Sequence, residues 1–356
     1  MIVYLSPFLT FLLLRWGLDR RPRLRGQIYW VLLGGMFLFA GFRFEVGCDW
    51  SGYIHHWRIV AGPSYDPLAA PRDLGWWLTV DLLEASGLPY PVLNVVVAAV
   101  FFACMHAMAK RQPDPMAFLL VLFPVLVLGM TMAALRQAVA IGFVAMAFMA
   151  FADRRSGAFA LWLGAGTLFH SSAMVFLPLL PLAGGRLDRW RVGATAALLL
   201  PAGLALLSTA AADLAATRYV GTDTVAEGAA YRVALVALTG LFHLIFLRGP
   251  WRRAFPGDAR LAFVGALLML GVGLLLPLST VIADRLSYYL IPLQALIVAR
   301  VPALPVPSRR LLCALPWIGL VALLAVWLAE SGAVQQCYLP YRNWLLGFPD
   351  GVRYAF

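Results

Sequence analysis

Charge is scarce in this chain, at 13% of 356 residues against about a quarter in ordinary soluble proteins. So few charged groups cannot cover a globule with a solvated surface, and 62% of the residues are hydrophobic, with a mean hydropathy of +0.82. A soluble enzyme and a disordered chain are both excluded, which leaves a polytopic membrane protein. Lysine is almost missing, Lys110 being the only one, so the net charge of +11 is arginine charge. In a soluble protein that balance would suggest nucleic acid. Here the arginines sit in loops between apolar runs, and no nucleic-acid partner follows. The four cysteines, Cys48, Cys104, Cys313 and Cys337, stand alone without metal-ligand spacing. No DxD-type pattern is evident either, so neither a metal nor another cofactor is expected.

What the chain has in quantity is long apolar runs. Residues 2–14, 27–41, 92–109, 116–132, 137–152, 192–208, 232–247, 261–278, 286–299 and 311–328 are predicted to span the membrane. Residues 157–183 are read as two short spans meeting at His170-Ser171-Ser172. One long helix would instead put Arg154-Arg155 and Arg186, Arg189 and Arg191 on opposite faces. The expected architecture is an all-α integral membrane protein with about twelve spans (bounds of about 10 and 14). It forms one transmembrane domain over residues 1–356 with both termini outside. The first run carries Arg15, Arg20, Arg21, Arg23 and Arg25 behind it rather than ahead of it, unlike a secretory signal.

This layout puts residues 43–91, 209–230 and the tail 329–356 outside. Within the first of these, residues 73–84 are amphipathic, too short to cross roughly 30 Å of hydrocarbon, and carry Trp76-Trp77, suited to an interfacial helix. The inner side then holds 19 of the 28 basic residues and 5 of the 17 acids, as the positive-inside rule requires.

The polar residues cluster outside. Residues 42–53 gather Arg43, Glu45, Asp49, Trp50 and Tyr53 at the rim of a span, where ionisable groups ordinarily mark a substrate path. Arg136, Arg232 and Arg285 lie at other outer span ends, with Arg342 in the tail. One arginine at a span end is ordinarily an interfacial anchor. Five on the face that needs no positive charge read as a cradle for a phosphate or pyrophosphate headgroup, because a guanidinium binds phosphate in bidentate fashion and stays ionised.

His170, at the outer turn, is either a general base or a buried polar cap. Asp49 and Glu45 are candidates to share that task or to orient a sugar hydroxyl, with an ion pair to Arg43 as the alternative. Trp50, Tyr53, Trp57 and the Trp76-Trp77 pair are candidates to stack on sugar faces, the last two also as interface anchors. His55 and His56 read as solvated or interfacial, His106 and His243 as core residues. Cys48 and Cys337 both fall outside, where a disulfide is permitted, but sequence leaves their pairing open.

Arg43 with Gly47-Cys48-Asp49 and Tyr53 resembles the R, GTD and Y pattern of the EpsG family of Wzy-like polysaccharide polymerases, cysteine replacing threonine. Asp73-Leu74-Gly75 is similar to its E-x-G, with aspartate for glutamate; Leu135-Arg136-Gln137-Ala138 to its R-Q block; and His170-Ser171-Ser172-Ala173 to its H-x-S-A. Ala230-Tyr231-Arg232, Asp284-Arg285-Leu286-Ser287-Tyr288-Tyr289 and Pro340-Tyr341-Arg342 complete the series in order. Each motif alone is weak, but the ordered set covers residues 40 to 345.

The resemblance implies a multi-pass GT-C-type enzyme of the bacterial inner membrane, acting at the periplasmic face. It would join polyprenyl-pyrophosphate-linked oligosaccharides without nucleotide sugar or metal. The expected pyrophosphate ligands are Arg136, Arg232 and Arg285, with Arg43 and Arg342 as helpers. The expected catalytic residues are His170, Asp49 and Arg136, and the expected sugar contacts Glu45, Trp50, Tyr53 and Tyr288. Expected partners are the lipid-linked donor and acceptor, the bilayer and a chain-length regulator. An O-antigen-ligase-like transferase, a membrane O-acyltransferase and a lipid-linked sugar flippase are the rival readings.

Overall fold

The computed structural model describes residues 1–62, 65–66, 73–185, 188–207, 228–306 and 309–348. Among these the only β pairing is an isolated antiparallel bridge between Arg43 and Asn343; the rest of the ordered chain is helix and connecting turn. In order the helices are α1 (Ile2–Gly17), α2 (Pro22–Gly41), α3 (Trp50–Val60), α4 (Leu74–Ala85), α5 (Pro91–Ala109), α6 (Pro115–Leu122) and α7 (Leu135–Ala152), with a π-helical stretch Phe123–Thr131 before α7. After them come α8 (Ser156–Phe169), a 3-10 segment Ser171–Leu179 leading into α9 (Leu180–Ala183), α10 (Arg189–Leu207), α11 (Ala229–Phe242), α12 (Arg248–Ala254), α13 (Ala259–Leu274), α14 (Thr280–Arg300) and α15 (Arg309–Glu330). Prolines open α2, α5 and α6, where a missing N–H costs nothing because that donor has no helical partner.

The runs 2–14, 27–41, 92–109, 137–152, 286–299 and 311–328 each lie within one helix, 116–132 and 232–247 each continue from an α-helix into a π-helical stretch, and 261–278 outruns α13, which ends at Leu274. Among the described residues five segments, Pro91–Ala109, Leu135–Ala152, Ala229–Ala254, Thr280–Ala303 and Leu311–Glu330, are long and apolar enough to cross a membrane, and five shorter apolar helices accompany them. The chain is a multi-pass helical membrane protein. Burial sorts the long helices: Leu135–Ala152 is 78% buried within the protein and Leu311–Glu330 only 17%, so the first is core and the second offers its leucines to lipid.

The chain divides into two compact units, each described by itself. The first comprises Met1–Gly142, Leu168–Ser171 and Ala295–Phe356; the second Phe143–Thr167 and Ser172–Gln294. In the first, α2 packs on α5 and the tail is stitched to the front of the chain. Tyr4 Oη donates to Tyr338 O at 2.6 Å, and Tyr338 Oη donates to Leu128 O at 2.9 Å within the π-helical stretch, whose irregular turns leave carbonyls to be satisfied. Arg15 pairs with Asp114 at 2.6 Å and lies over the Trp317 ring. In the second unit α11 and α13 pack closely, and a Cβ on Gly240 would stand 2.6 Å from Ala266 O. Small residues at such crossings let membrane helices approach.

Two features depart from or extend the sequence reading. Residues 50–60, expected as part of a loop, form α3, whose Trp50, Tyr53, Trp57 and Val60 are buried. That spacing is one face of a short amphipathic helix. Residues 157–183 break at His170 into α8 and the Ser171–Ala183 segment, and Arg154 and Gly185 line one cavity of the second unit. The chain therefore turns back on itself, as two short pieces would. Most of the expected outer segment 209–230 lies outside the described residues, as do positions 349–356 of the tail.

Candidate functional site

In the first unit the loop of residues 42–49 is anchored before it presents anything. Arg43 is 1% exposed, and its Nε and Nη1 donate to Val46 O at 3.0 Å and Ala40 O at 2.7 Å. It caps the carbonyl end of α2, where a cation is favoured, although burial lowers the guanidinium's pKa. Phe44 N donates to Arg342 O and Gly47 N to Cys337 O, and Cys48 and Cys337 form a disulfide across a Cα–Cα distance of 4.9 Å. Glu45 pairs with Arg342 at 2.5 Å, so the carboxylate for which a pair with Arg43 was the alternative reading is bonded to the tail arginine instead. Gly47 has φ +103°, and a Cβ there would fall 1.7 Å from Met132 O. Only glycine lets this loop lie on the turn that leads into Arg136.

Arg136 is the second residue of α7, and its Nη1 meets Asp73 Oδ2 at 2.8 Å. Asp73 stands just before α4 with φ +56°, and its Oδ1 accepts the backbone N–H of Ser171 at 3.0 Å. That N–H opens the 3-10 segment and would otherwise lack a helical acceptor. One carboxylate thus joins the D-L-G, R-Q and H-S-S motifs and holds the backbone beside His170, which is half-buried. Gly75 makes the approach fit, since a Cβ would sit 3.0–3.1 Å from Leu168 and Phe169. Tyr53 closes the group: its hydroxyl is hydrogen-bonded to Arg136, and burial, then Asp49, push its pKa up to about 12.

The aromatic residues of this unit pack on one another. Trp50 and Trp57 lie against Tyr90, and Tyr53 against Trp76 at 5.0 Å. Trp50, Tyr53, Trp57 and Trp76 are each less than 9% exposed, whereas Trp77 is half-buried against His56. Trp76 Nε1 donates to His56 Nδ1 at 3.2 Å, and burial, then the charges of Arg136 and His55, bring the His56 pKa down to about 4. His56, read from sequence as solvated or interfacial, is a half-buried neutral imidazole facing the Arg136 charge. Asp49 is exposed.

The second unit holds another arginine–carboxylate centre. Arg232, near the start of α11, binds Asp284 in bidentate fashion, Nε to Oδ1 at 2.9 Å and Nη2 to Oδ2 at 2.7 Å. Tyr288 Oη donates to Asp284 Oδ2 at 3.0 Å, and Ser287 Oγ to Asp284 O at 2.7 Å. Ser172 and Tyr289 share a hydroxyl hydrogen bond at 2.8 Å. Arg285 is exposed at the same helix start. Sequence reasoning named Asp73 and Asp284 only as motif letters. Their signal was a carboxylate inside each arginine-bearing series, on a chain with only 17 acids. No group of three or more His, Cys, Asp or Glu residues suited to a metal ion occurs among the described residues.

Arginine–carboxylate centres at helix starts in a multi-pass all-helical scaffold define a membrane protein with polar machinery gathered at a few motifs. The EpsG family profile matches residues 28–343, and the chain belongs to the EpsG family, whose members are Wzy-like polysaccharide polymerases. The family is one of membrane glycosyltransferases. No curated protein and no solved structure matches the chain.

Proposed function

We propose that this protein polymerises polyprenyl-pyrophosphate-linked oligosaccharides at the periplasmic face of the bacterial inner membrane. It does so with about twelve spans in a GT-C-like arrangement, with arginine as the counter-charge for the leaving group. The observation that carries this reading is the Asp73 carboxylate, which orients Arg136 while tying down the backbone next to His170.

In the reaction the anomeric C–O bond to the lipid pyrophosphate breaks and a new glycosidic bond forms to an acceptor hydroxyl. Arg136 holds the pyrophosphate as negative charge grows on it. His170 takes the acceptor's proton, or Asp49 does so with His170 positioning the sugar. Arg232 and Arg285 are the phosphate-binding candidates of the second unit. Arg43 serves the reaction by holding the loop, and Arg342 by its bond to Glu45. The Cys48–Cys337 disulfide supports an oxidising, extracytoplasmic compartment for this end of the first unit.

The test is polymerisation by the purified protein in detergent, given its own lipid-linked oligosaccharide, beside Arg136→Ala and His170→Ala. The expected result is a product ladder that both variants lose. Transfer of single units to a foreign acceptor, or binding without any transfer, would replace the polymerase reading with a ligase or a flippase.

A further inference from the structure

The loop ends of the second unit line an open cavity of about 410 Å³ whose wall includes Arg154, Arg248, Arg252 and Arg260 together with His243 and Trp251. Among the described residues none of these four arginines pairs with a carboxylate. We propose that this cavity is a binding site for a phosphate ester, and that the phosphate group offsets part of the positive charge of the four guanidiniums.

Four observations carry the assignment. Guanidiniums stay ionised at every working pH, and with Arg154, Arg248 and Arg252 exposed solvent screens their mutual repulsion without cancelling it, so an anion is favoured among them. Arg154 has φ +59° at the end of α7, and Arg155 N reaches back to Ala150 O at 2.9 Å. That is the helix-ending position glycine occupies by preference, and a side chain there costs roughly 1 kcal/mol. A strained arginine in a glycine position fits a guanidinium wanted at that spot. His243 is 1% exposed in a π-helical turn, and its Nδ1 has no hydrogen-bond partner, which leaves a buried polar atom unsatisfied at the cavity wall.

The floor, finally, is fixed beforehand. Arg260 donates to Phe151 O at 2.8 Å, to Ala183 O at 3.3 Å and to Gly185 O, tying the ends of α7 and α9 to the start of α13. Arg248 lies over the Phe263 ring at 4.5 Å. Arginines over apolar rings suit either the headgroup of an anionic phospholipid or a soluble phosphate.

The cavity is separate from the arginine–carboxylate centre of the same unit. Sixteen helical positions divide Arg232 from Arg248, roughly 24 Å at 1.5 Å per residue. The positive-inside reading assigns Arg154, Arg248 and Arg252 to the cytoplasmic side, where anionic headgroups are available to basic pockets between helices.

The test uses the full-length protein in a neutral detergent, following its thermal midpoint while dioctanoyl phosphatidylglycerol, dioctanoyl phosphatidylcholine or sodium phosphate is added. A saturable rise with phosphatidylglycerol alone identifies a lipid headgroup, and a rise with inorganic phosphate a soluble source. Equal rises with the glycerol and choline lipids, or no rise with any probe, overturn the proposal. Arg154→Gly separates binding from folding because the two effects have opposite signs. It relieves the left-handed residue, so the ligand-free midpoint holds or rises, while apparent affinity for the effective probe falls about tenfold. Arg248→Ala with Arg252→Ala, both exposed positions, is the second variant. Undiminished binding by either one overturns the assignment.

Discussion

The two units each build a centre from one arginine and one aspartate, and they use the pair differently. In the second unit Arg232 and Asp284 engage through two bonds, with side chains 17% and 9% exposed. In the first, Arg136 meets Asp73 through one Nη, with its side chain 34% exposed. A bidentate pair this buried acts mainly as structure: its charges are matched and its geometry fixed. A guanidinium held by one bond to Asp73 and by the Tyr53 hydroxyl, and still in contact with solvent, is oriented without being neutralised. Asp73 meanwhile turns its second oxygen to a backbone N–H. The same two residue types thus yield a brace in one unit and a presented cation in the other.

The comparison is broken most directly by removing the acids. Asp284→Ala leaves Arg232 and the Tyr288 hydroxyl without their buried partner and is expected to cost about 3 kcal/mol of stability. Asp73→Ala, at the more exposed pair, is expected to cost about 1 kcal/mol. Thermal midpoints of the two variants in one detergent check the ranking. A larger loss for Asp73→Ala would mean that the first pair, not the second, is the brace.

Arg136→Lys sharpens the other half of the comparison. Lysine keeps the charge but loses the planar fork that meets Asp73 and a phosphate together, so turnover of lipid-linked substrate is expected to fall about a hundredfold with little change in thermal midpoint. Native turnover by this variant would remove the bidentate role from Arg136.

Helices were legible in the sequence because a membrane asks for one pattern, an apolar run ended by arginines, and the runs at 92–109, 137–152 and 311–328 each lie within a helix. The helix at Trp50–Val60 was hidden because its four buried residues are spaced among polar ones, a pattern that hydropathy over a long window erases. At the candidate site, Arg136 was legible as an arginine at the end of an apolar run. Its partner was not, since an aspartate 63 positions earlier meets it only once α4 has packed on the end of α8. Arg43 shows the opposite case: an arginine that reads from sequence as a ligand is buried on two carbonyls, Ala40 at the end of α2 and Val46 in its own loop. Sequence marks which residues are polar at a span end. Whether their donors point to backbone or to solvent is decided by the turn geometry of residues such as Glu45 and Gly47, both at positive φ.

The smallest expected effect tests whether the Arg136 charge is still felt by its neighbours. His56 has its pKa lowered from 6.5 to about 4, first by burial and then by Arg136. Because the unfolded chain binds this proton more readily than the folded one, stability is unaffected above about pH 6.5 and falls as pH drops from there through about 4. Thermal midpoints of the native protein and of His56→Gln should therefore run parallel above pH 7 and diverge below pH 6.5, the native protein losing more. In an Arg136→Ala background the folded-state pKa rises, because one repelling charge is gone, but burial keeps it below 6.5. The divergence between His and Gln then shrinks without vanishing. An unchanged divergence would mean that Asp73 already neutralises Arg136 as fully as Asp284 neutralises Arg232, and the distinction between brace and presented cation would fall.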